Sequence, residues 1–349
     1  MSRVDPSEGE RTGRRPDPAG PDSTGPDSAR AGTVSRETGP NGADTLPRDT
    51  RPVVLIDSSI YIYRAWQAAS PASLDPEGRP TGAVAGFAAT LVDLLTRERP
   101  DRVLCAFDIC GRTGLRNTIH PGYKRSRPAP SAALVEQFPR CMTLARALGL
   151  AAIGSRSVEA DDIIAHFAAL ARREDRPVTV VSGDKDLARD VTEAGDTYWD
   201  FGRHARQDPK ALERRLGVRP AQIPDWLALS GDASDDIPGV PGVGAATAAR
   251  LIRKWGSLDV LYAHVADVAR MRFRGAPGVA RLLAEHESTV RLARRLTGPL
   301  EDPELPGTLD PLVRRPVSRE AARAALLAAG LDTSRSDLGS SALVAVDAR

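Results

Sequence analysis

Little in this chain is reactive, aromatic or long-range apolar. Its 349 residues include three cysteines, three methionines and 4% aromatic residues. Cys105, Cys110 and Cys141 form neither a CxxC pair nor an even-numbered framework, which excludes a disulfide scaffold and a thiolate zinc site. That usage fits a reducing compartment, so a cytoplasmic location is expected, with Cys105 buried in a strand. No run approaches the roughly 20 apolar residues of a membrane span. The first 50 residues contain no Ile, Phe, Tyr or Trp and repeat GPDS twice. Such a segment cannot bury enough surface to offset its ordering entropy, and it has no apolar stretch of a secretory signal. It reads as a disordered extension, with the folded chain starting near Arg51.

The net charge is only +2, but the charges are segregated. From Ile109 to Pro139 the sole acid is Glu136, against Arg112, Arg116, Lys124, Arg125 and Arg127. From Gly244 to Gly298 there are ten Lys and Arg against four Asp and Glu. Both stretches suit a phosphate-rich partner; an ordinary solvated surface in an Arg-rich chain is the plainer alternative.

Val53–Asp57 is a short apolar run ending in an acid, the pattern of a buried parallel strand. Arg102–Asp108 repeats it, Val178–Ser182 precedes Asp184 and Asp186, and Ala151–Ile153 is a weaker strand. Helical periodicity runs on from Asp57 through Trp66, and over Val84–Thr96, Met142–Leu148 and Glu159–Arg173. Strands alternating with helices predict a parallel α/β sheet, whose sites lie beyond the carboxyl ends of the strands. After Gly202 the strand signals fade. Helices are expected over Pro209–Leu216, Pro220–Leu229, Ala245–Lys254, Leu258–His264 and Val279–Leu296. The expected organisation is 1–50 extension, 51–202 core, 203–332 helical subdomain and 333–349 flexible tail.

Five stretches set acids at element ends: Asp57; Asp108; Glu159, Asp161 and Asp162; Asp184 and Asp186; Asp232 and Asp235. Any one alone is better read as a helix cap or solvated surface. Together, carboxylates converging on one place would repel one another unless cations neutralised them. Oxygen ligands without adjacent Cys or His point to Mg²⁺ or Mn²⁺ rather than zinc. Glu159 and Asp162 share a helical face, as do Asp232 and Asp235, while Asp184 and Asp186 can face one crevice. Two such ions suit phosphodiester hydrolysis and require no protein nucleophile. Spacing alone gives no more than metal-dependent phosphoryl chemistry.

Between Asp108 and Glu159 lies GRTGLRNTIHPGYKRSRPAPS, cationic and carrying one aromatic residue. Above a carboxylate site it suits a gate for single-stranded nucleic acid, with Tyr123 available to stack and Lys124 and Arg116 to offset phosphate charge; a mobile solvated loop is the alternative. Pro238-Gly239-Val-Pro-Gly242-Val-Gly244 then precedes a helix pattern. Its glycines permit a tight turn that exposes backbone N–H groups to phosphate, and such turns also accommodate a monovalent cation such as K⁺.

The ordered set LIDSSIYIYRAW, PTGAVAGF, FD…LRNTIHPGYKRSR, VEADDIIA, SGDKDLARDV and LSGDASDDIPGVPGVGAATAARLI resembles the bacterial 5′ nuclease (flap endonuclease) family over roughly Val53 to Leu296. That family includes the N-terminal domain of bacterial DNA polymerase I and stand-alone relatives. The resemblance implies a PIN-like α/β core, a helical arch over about 112–140, and a helix–three-turn–helix (helix–hairpin–helix) that grips duplex. It implies two Mg²⁺ or Mn²⁺ ions held directly or through water by Asp57, Asp108, Glu159, Asp161, Asp162, Asp184, Asp186, Asp232 and Asp235. It makes Lys124 the arch lysine, beside Arg116, Tyr123 and Arg127, and Tyr63 and Arg64 the aromatic–basic pair of the first helix. Gly239, Gly242 and Gly244 fall in the duplex-binding turn. Leu115, Thr118, His120, Asp236 and Ser58 stand where Phe, an acid, Tyr, Asn and Gly are commoner, and none of these departures removes a carboxylate.

The expected partner is DNA with 5′ ends, flaps or branches. No segment remains for a polymerase domain, no membrane is involved, and a monomer is expected. Competing readings are a PIN-type ribonuclease, which usually has fewer acids and no such glycine turn, and a catalytically silent structure-specific DNA-binding protein. A haloacid-dehalogenase-type phosphatase would require an acid where Ser59 stands.

Overall fold

Six strands and thirteen α-helices order the part of the chain that the computed structural model describes, residues 51–329 apart from 71, 72, 76 and 204. The expected N-terminal extension and C-terminal tail lie outside the described residues. The strands are β1 (Val53–Asp57), β2 (Val103–Asp108), β3 (Ala151–Ser155), β4 (Val178–Val181), β5 (Thr197–Asp200) and β6 (Ala205–Gln207). They form one sheet in the order β3-β2-β1-β4-β5-β6, parallel except for β6. The chain lays β2 and β3 on one side of β1 and then returns to place β4 on the other. That reversal opens a crevice at the carboxyl ends of β1 and β4, where sites of such sheets collect.

Alternation along the strands splits the core into two faces. Val53, Leu55, Leu104 and Ala106 pack with α6 (Ala160–Arg173) and continue into the C-terminal helices. Val54, Ile56, Val103, Cys105 and Phe107 pack under α1 (Ser58–Ala68), α2 (Gly82–Glu98) and α5 (Gln137–Ala147). All three cysteines are free and buried, Cys105 within β2 as its sequence pattern indicated.

Helix α6 shows how the sequence sets its ends. Glu159 and Asp162 form a reciprocal capping box, Asp161 and Asp162 lie at the positive end of the dipole, and Arg172 and Arg173 at the negative end. Its apolar stripe, including Ile163, Ile164, Phe167 and Leu170, is buried. The same start that makes a stable helix therefore delivers Glu159 and Asp161 to the crevice, while Asp162 turns inward.

The arch region is not one long helix. It comprises α3 (Leu115–Ile119), a turn and irregular stretch, and α4 (Ala132–Val135). The prolines at 121, 128 and 130 deny it backbone donors and disfavour helix at the preceding residues. Beyond β6 come α7 (Pro209–Leu216), α8 (Ile223–Ser230), α9 (Ala245–Trp255), α10 (Leu258–Ala263), α11 (Ala276–Glu285), α12 (Glu287–Thr297) and α13 (Arg319–Ala328). The expected pattern over 279–296 is two helices separated at His286. The short strands β5 and β6 carry too little periodicity to be seen in the sequence, whereas α13, amphipathic and capped by Ser318, lies in a stretch for which the sequence reading named no element. Among the described residues no helix is long and apolar enough to cross a membrane.

Candidate active site

Asp57 closes β1 and caps α1. Its Oδ1 accepts the N–H of Ile60 at 3.3 Å, and its Oδ2 accepts the Ser182 hydroxyl at 2.8 Å. Burial, and next the charge of Asp108, push its pKa up to about 7. Asp108 ends β2; its Oδ1 accepts the N–H of Ala160 at 2.6 Å, and its own N–H donates to Ser59 Oγ at 2.9 Å. Its pKa is raised by loss of water on its protein side and then by Glu159. Asp161, in the first turn of α6, is raised well above the carboxylate range by burial; Arg189 opposes this, while Asp184, Asp57 and Asp108 add to it. After β4, Asp184 Oδ1 accepts the N–H of Asp186 at 2.9 Å and so caps a 3-10 turn over Lys185–Asp190. Burial, then Asp184, raise Asp186 to about 6, against the pull of Lys185. The ends of β1, β2 and β4 and the start of α6 thus bring together acids that oppose one another's ionisation.

A second set of acids rings this group and already has cationic partners. Glu159 accepts the Lys124 ammonium at 2.7 Å and the Tyr123 hydroxyl at 2.9 Å. Asp235 pairs with Arg127 and accepts the Tyr123 hydroxyl at 3.2 Å, with the Lys124 ammonium 3.9 Å away. Asp232 accepts both the N–H and the hydroxyl of Ser234, at 2.8 and 2.6 Å, and lies 3.5 Å from the Lys185 ammonium. Burial works against its ionised form, but Ser234 and Lys185 outweigh burial and hold its pKa below the ordinary value. Lys124 adopts a left-handed backbone (φ 51°), and its N–H donates to the carbonyl of Asp235 at 2.9 Å, so arch and loop are joined at this residue.

Several expected roles are revised by the geometry. Arg116 does not face the crevice. It is buried and forms a bidentate pair with Asp162 at 2.5 and 2.8 Å, and it also donates to the carbonyls of Leu296 and Gly298. Asp162 further accepts the N–H groups of Glu159 and Leu300, so both its oxygens are engaged within the protein. The pair ties α3, α6 and the end of α12 together and sets the position of Glu159. Tyr123 is 3% exposed, so its ring has no free face for stacking in this arrangement. Tyr63 is the exposed aromatic, edge-on to Phe138 at 5.8 Å. Arg64 pairs with Asp200 at 2.9 Å, its guanidinium lying against Gly183 and Gly202, where an added Cβ would displace it.

In the glycine segment, Val240-Pro241-Gly242-Val243 is a β-turn closed by the N–H of Val243 on the carbonyl of Val240 at 2.9 Å. Proline and a glycine at φ 75° occupy its central positions, as a type II turn requires. Gly244 caps α9 with φ −81°, so it needs no left-handed freedom. Gly239 is required for another reason: a Cβ there would lie 2.4 Å from the nitrogen of Gly231, where two backbones cross. Sequence reading missed Ser182, Ser59 and Lys185. The lysine between two acids in SGDKD was a signal that could have been used.

Compared with known proteins, residues 52–217 match the 5′-3′ exonuclease N-terminal resolvase-like domain, and residues 218–320 match the 5′-3′ exonuclease C-terminal SAM fold. DNA polymerase I of Pseudomonas aeruginosa is 37% identical over 271 residues, which is 77% of this chain and 29% of that protein. A 5′-3′ exonuclease of Buchnera aphidicola is 28% identical over 247 residues, 70% of this chain and 85% of its own. The chain therefore spans less than a third of the polymerase relatives it matches. Among solved structures, a bacteriophage T5 flap endonuclease in a complex with DNA and metal ions aligns with a TM-score of 0.54 at 18% identity, covering 80% of this chain and 100% of its own. The catalytic core of Rad2 with a DNA substrate aligns at 0.53 and 15% identity, covering 85% and 92%. These likenesses concern the fold. With both family domains matched in succession over a sheet whose strand ends carry the acids, the chain belongs to the 5′-3′ exonuclease family.

Proposed function

We propose that this protein is a divalent-metal-dependent 5′ nuclease that hydrolyses DNA phosphodiesters at flapped or branched 5′ ends. The observation that carries the reading is the set of acids gathered at the ends of β1 and β2, just after β4 and at the start of α6, whose pKa values are raised first by burial and then by one another's charge. Such a set is relieved by cations, and its donors are hard carboxylate oxygens. Carboxylate oxygens suit Mg²⁺ or Mn²⁺, which retain several waters; among the described residues no three of these side chains already stand close enough together to form a metal-binding cluster. Asp57, Asp108, Glu159 and Asp161 would hold one ion, and Asp184, Asp186, Asp232 and Asp235 a second. Asp162 falls outside the set because Arg116 occupies both its oxygens. When bound, the ions supply a nucleophilic water at neutral pH and neutralise charge on the phosphate.

The protein's own groups prepare the substrate. Lys124, on the rim of the same acids, offsets charge that develops at the scissile phosphate. The exposed start of α9 and the turn before it present backbone N–H groups to a duplex phosphate without reading bases. Cys110 is no competing nucleophile, since burial, and then Glu159 and Asp108, push its thiol up to about 12.

The test is gel analysis of a 5′-labelled flap with EDTA, Mg²⁺ or Mn²⁺. Cutting should vanish in chelator and return with either ion. Full activity in EDTA would overturn the metal assignment, and binding without cutting in both ions would favour a catalytically silent DNA-binding protein.

A further inference from the structure

We infer that Lys185 is the internal counter-ion of Asp186 and Asp232, an ammonium that occupies the position of the second cation and must be displaced when that cation binds. The inference rests on the metal reading above and concerns a residue to which that reading gives no task. Lys185 Nζ lies 3.2 Å from Asp186 Oδ1 and 3.5 Å from Asp232 Oδ2. These two acids come from different elements: Asp186 from the 3-10 turn after β4, Asp232 from the loop after α8. Asp232 Oδ1 is already taken by Ser234, which leaves Oδ2 for the ammonium. The buried Oδ1 of Asp186 has the ammonium near but no well-directed donor, so the contact is an ion pair that a better ligand can replace.

An ammonium and a divalent cation cannot share this space, because at about 3 to 4 Å like charges repel strongly inside a protein. The lysine is also free to leave. Its side chain is 49% exposed, on a flexible four-carbon stem that can swing to solvent. Two consequences follow. In metal-free protein Lys185 keeps Asp186 and Asp232 together despite their like charge. In the presence of metal it competes, so the second position fills only at higher ion concentration than it otherwise would.

The experiment measures binding, not cutting. Mn²⁺ uptake by DNA-free protein is followed through the signal of free Mn²⁺ in electron paramagnetic resonance, alongside melting in EDTA. Lys185→Met keeps the stem and removes the charge. Lys185→Arg keeps the charge, and Lys210→Met, at an exposed site on α7, controls for loss of one positive charge. Lys185→Met should bind its weaker class of Mn²⁺ about tenfold more tightly than the native chain. It should also melt lower in EDTA, a deficit that Mn²⁺ closes, while Lys185→Arg and Lys210→Met stay near native. A Lys185→Met isotherm equal to that of Lys210→Met, or weaker than native, overturns the inference, and so does Lys185→Arg behaving like Lys185→Met. No Mn²⁺ uptake by any of the four proteins overturns the metal reading and this inference with it.

Discussion

The inner and outer acids of this site are the same chemical groups in different electrostatic surroundings. Among the described residues, no ion pair joins Asp57, Asp108 or Asp161 to a lysine or arginine, and their pKa values are raised. Glu159, Asp232 and Asp235 each have a cationic side chain within 4 Å, and Asp186 stands between the two sets, raised like the inner acids but with Lys185 at 3.2 Å. Of the inner acids, Asp57 and Asp108 sit where strands deliver them and Asp161 at the start of α6; Asp57 is buried, Asp161 half-buried and Asp108 exposed. The outer acids sit on loops that basic residues of the arch and the 3-10 turn can reach. The inner set therefore lacks a side-chain counter-ion, whereas the outer set is already partly neutralised by the protein.

Neutralising one acid from each set breaks this comparison most directly. Asp57→Asn keeps a good helix cap and acceptor for Ser182 but removes a charge. Its cutting rate on a flap in Mg²⁺ should fall by about 10²- to 10³-fold, as for loss of one electrostatic stabiliser of a transition state. Its melting temperature in EDTA should hold or rise, because a repelled buried charge is gone. Asp235→Asn should instead melt lower in EDTA, because Arg127 and Lys124 lose their partner. Equal responses of the two variants would show that the distinction between the sets is false.

Lys124→Ala tests the cation on the rim. Single-turnover cutting should fall by about 10²-fold or more, while the dissociation constant for the same flap changes modestly, since one phosphate contact is one of many. A variant that loses mainly affinity and keeps its rate would make Lys124 a strand-positioning residue.

The pH dependence of stability sharpens the same contrast at smaller scale. Asp57 near 7 and Asp186 near 6 have folded pKa values above the unfolded value of about 3.9. Protons therefore favour the folded state at these positions. That contribution is complete below about pH 4 and is lost as pH rises through about 6 to 7. Cations require the ionised forms, so Mg²⁺ should raise the melting temperature more at pH 8 than at pH 5. Equal Mg²⁺ shifts at the two pH values would mean that these carboxylates are not the ones that bind it.

The acids at β1, β2 and α6 were legible in sequence because each closes a strand or opens a helix, positions fixed by local pattern, whereas Asp232 and Asp235 lie in the turn after α8 rather than on the helical turn expected. Asp57, Asp108 and Asp161 needed only the strand–acid and helix-start signals. What stayed hidden depended on which partner an arginine or lysine would choose across the fold. Arg116 looked available for phosphate in a loop rich in basic residues, but it pairs with an acid 46 positions away. Tyr123 looked free to stack, but the same packing buries it. Side-chain pairing over long sequence separations has no periodicity to read. Short edge elements such as β6, with three residues, have too few positions to show one.

The smallest expected effect separates two glycines seven and nine residues after Asp235. Gly242 sits at φ 75° with no atom within 4 Å of an added Cβ, so a substitution there meets no clash. Its cost is the left-handed backbone alone, about 1 to 2 kcal/mol for an ordinary residue and more awkward for a β-branched one. Gly244, at φ −81° and with equally open space, accepts alanine without that strain. Gly242→Val should therefore distort the turn ahead of α9 and weaken binding to duplex-containing substrates several-fold more than to short single strands. Gly244→Ala should leave the melting temperature within error and perturb duplex binding less. Fluorescence anisotropy with a hairpin and a matched single strand distinguishes the cases. Equal losses on both substrates for Gly242→Val would count against a duplex-gripping turn. Gly244→Ala matching the loss of Gly242→Val would mean that added bulk, rather than turn geometry, governs the contact.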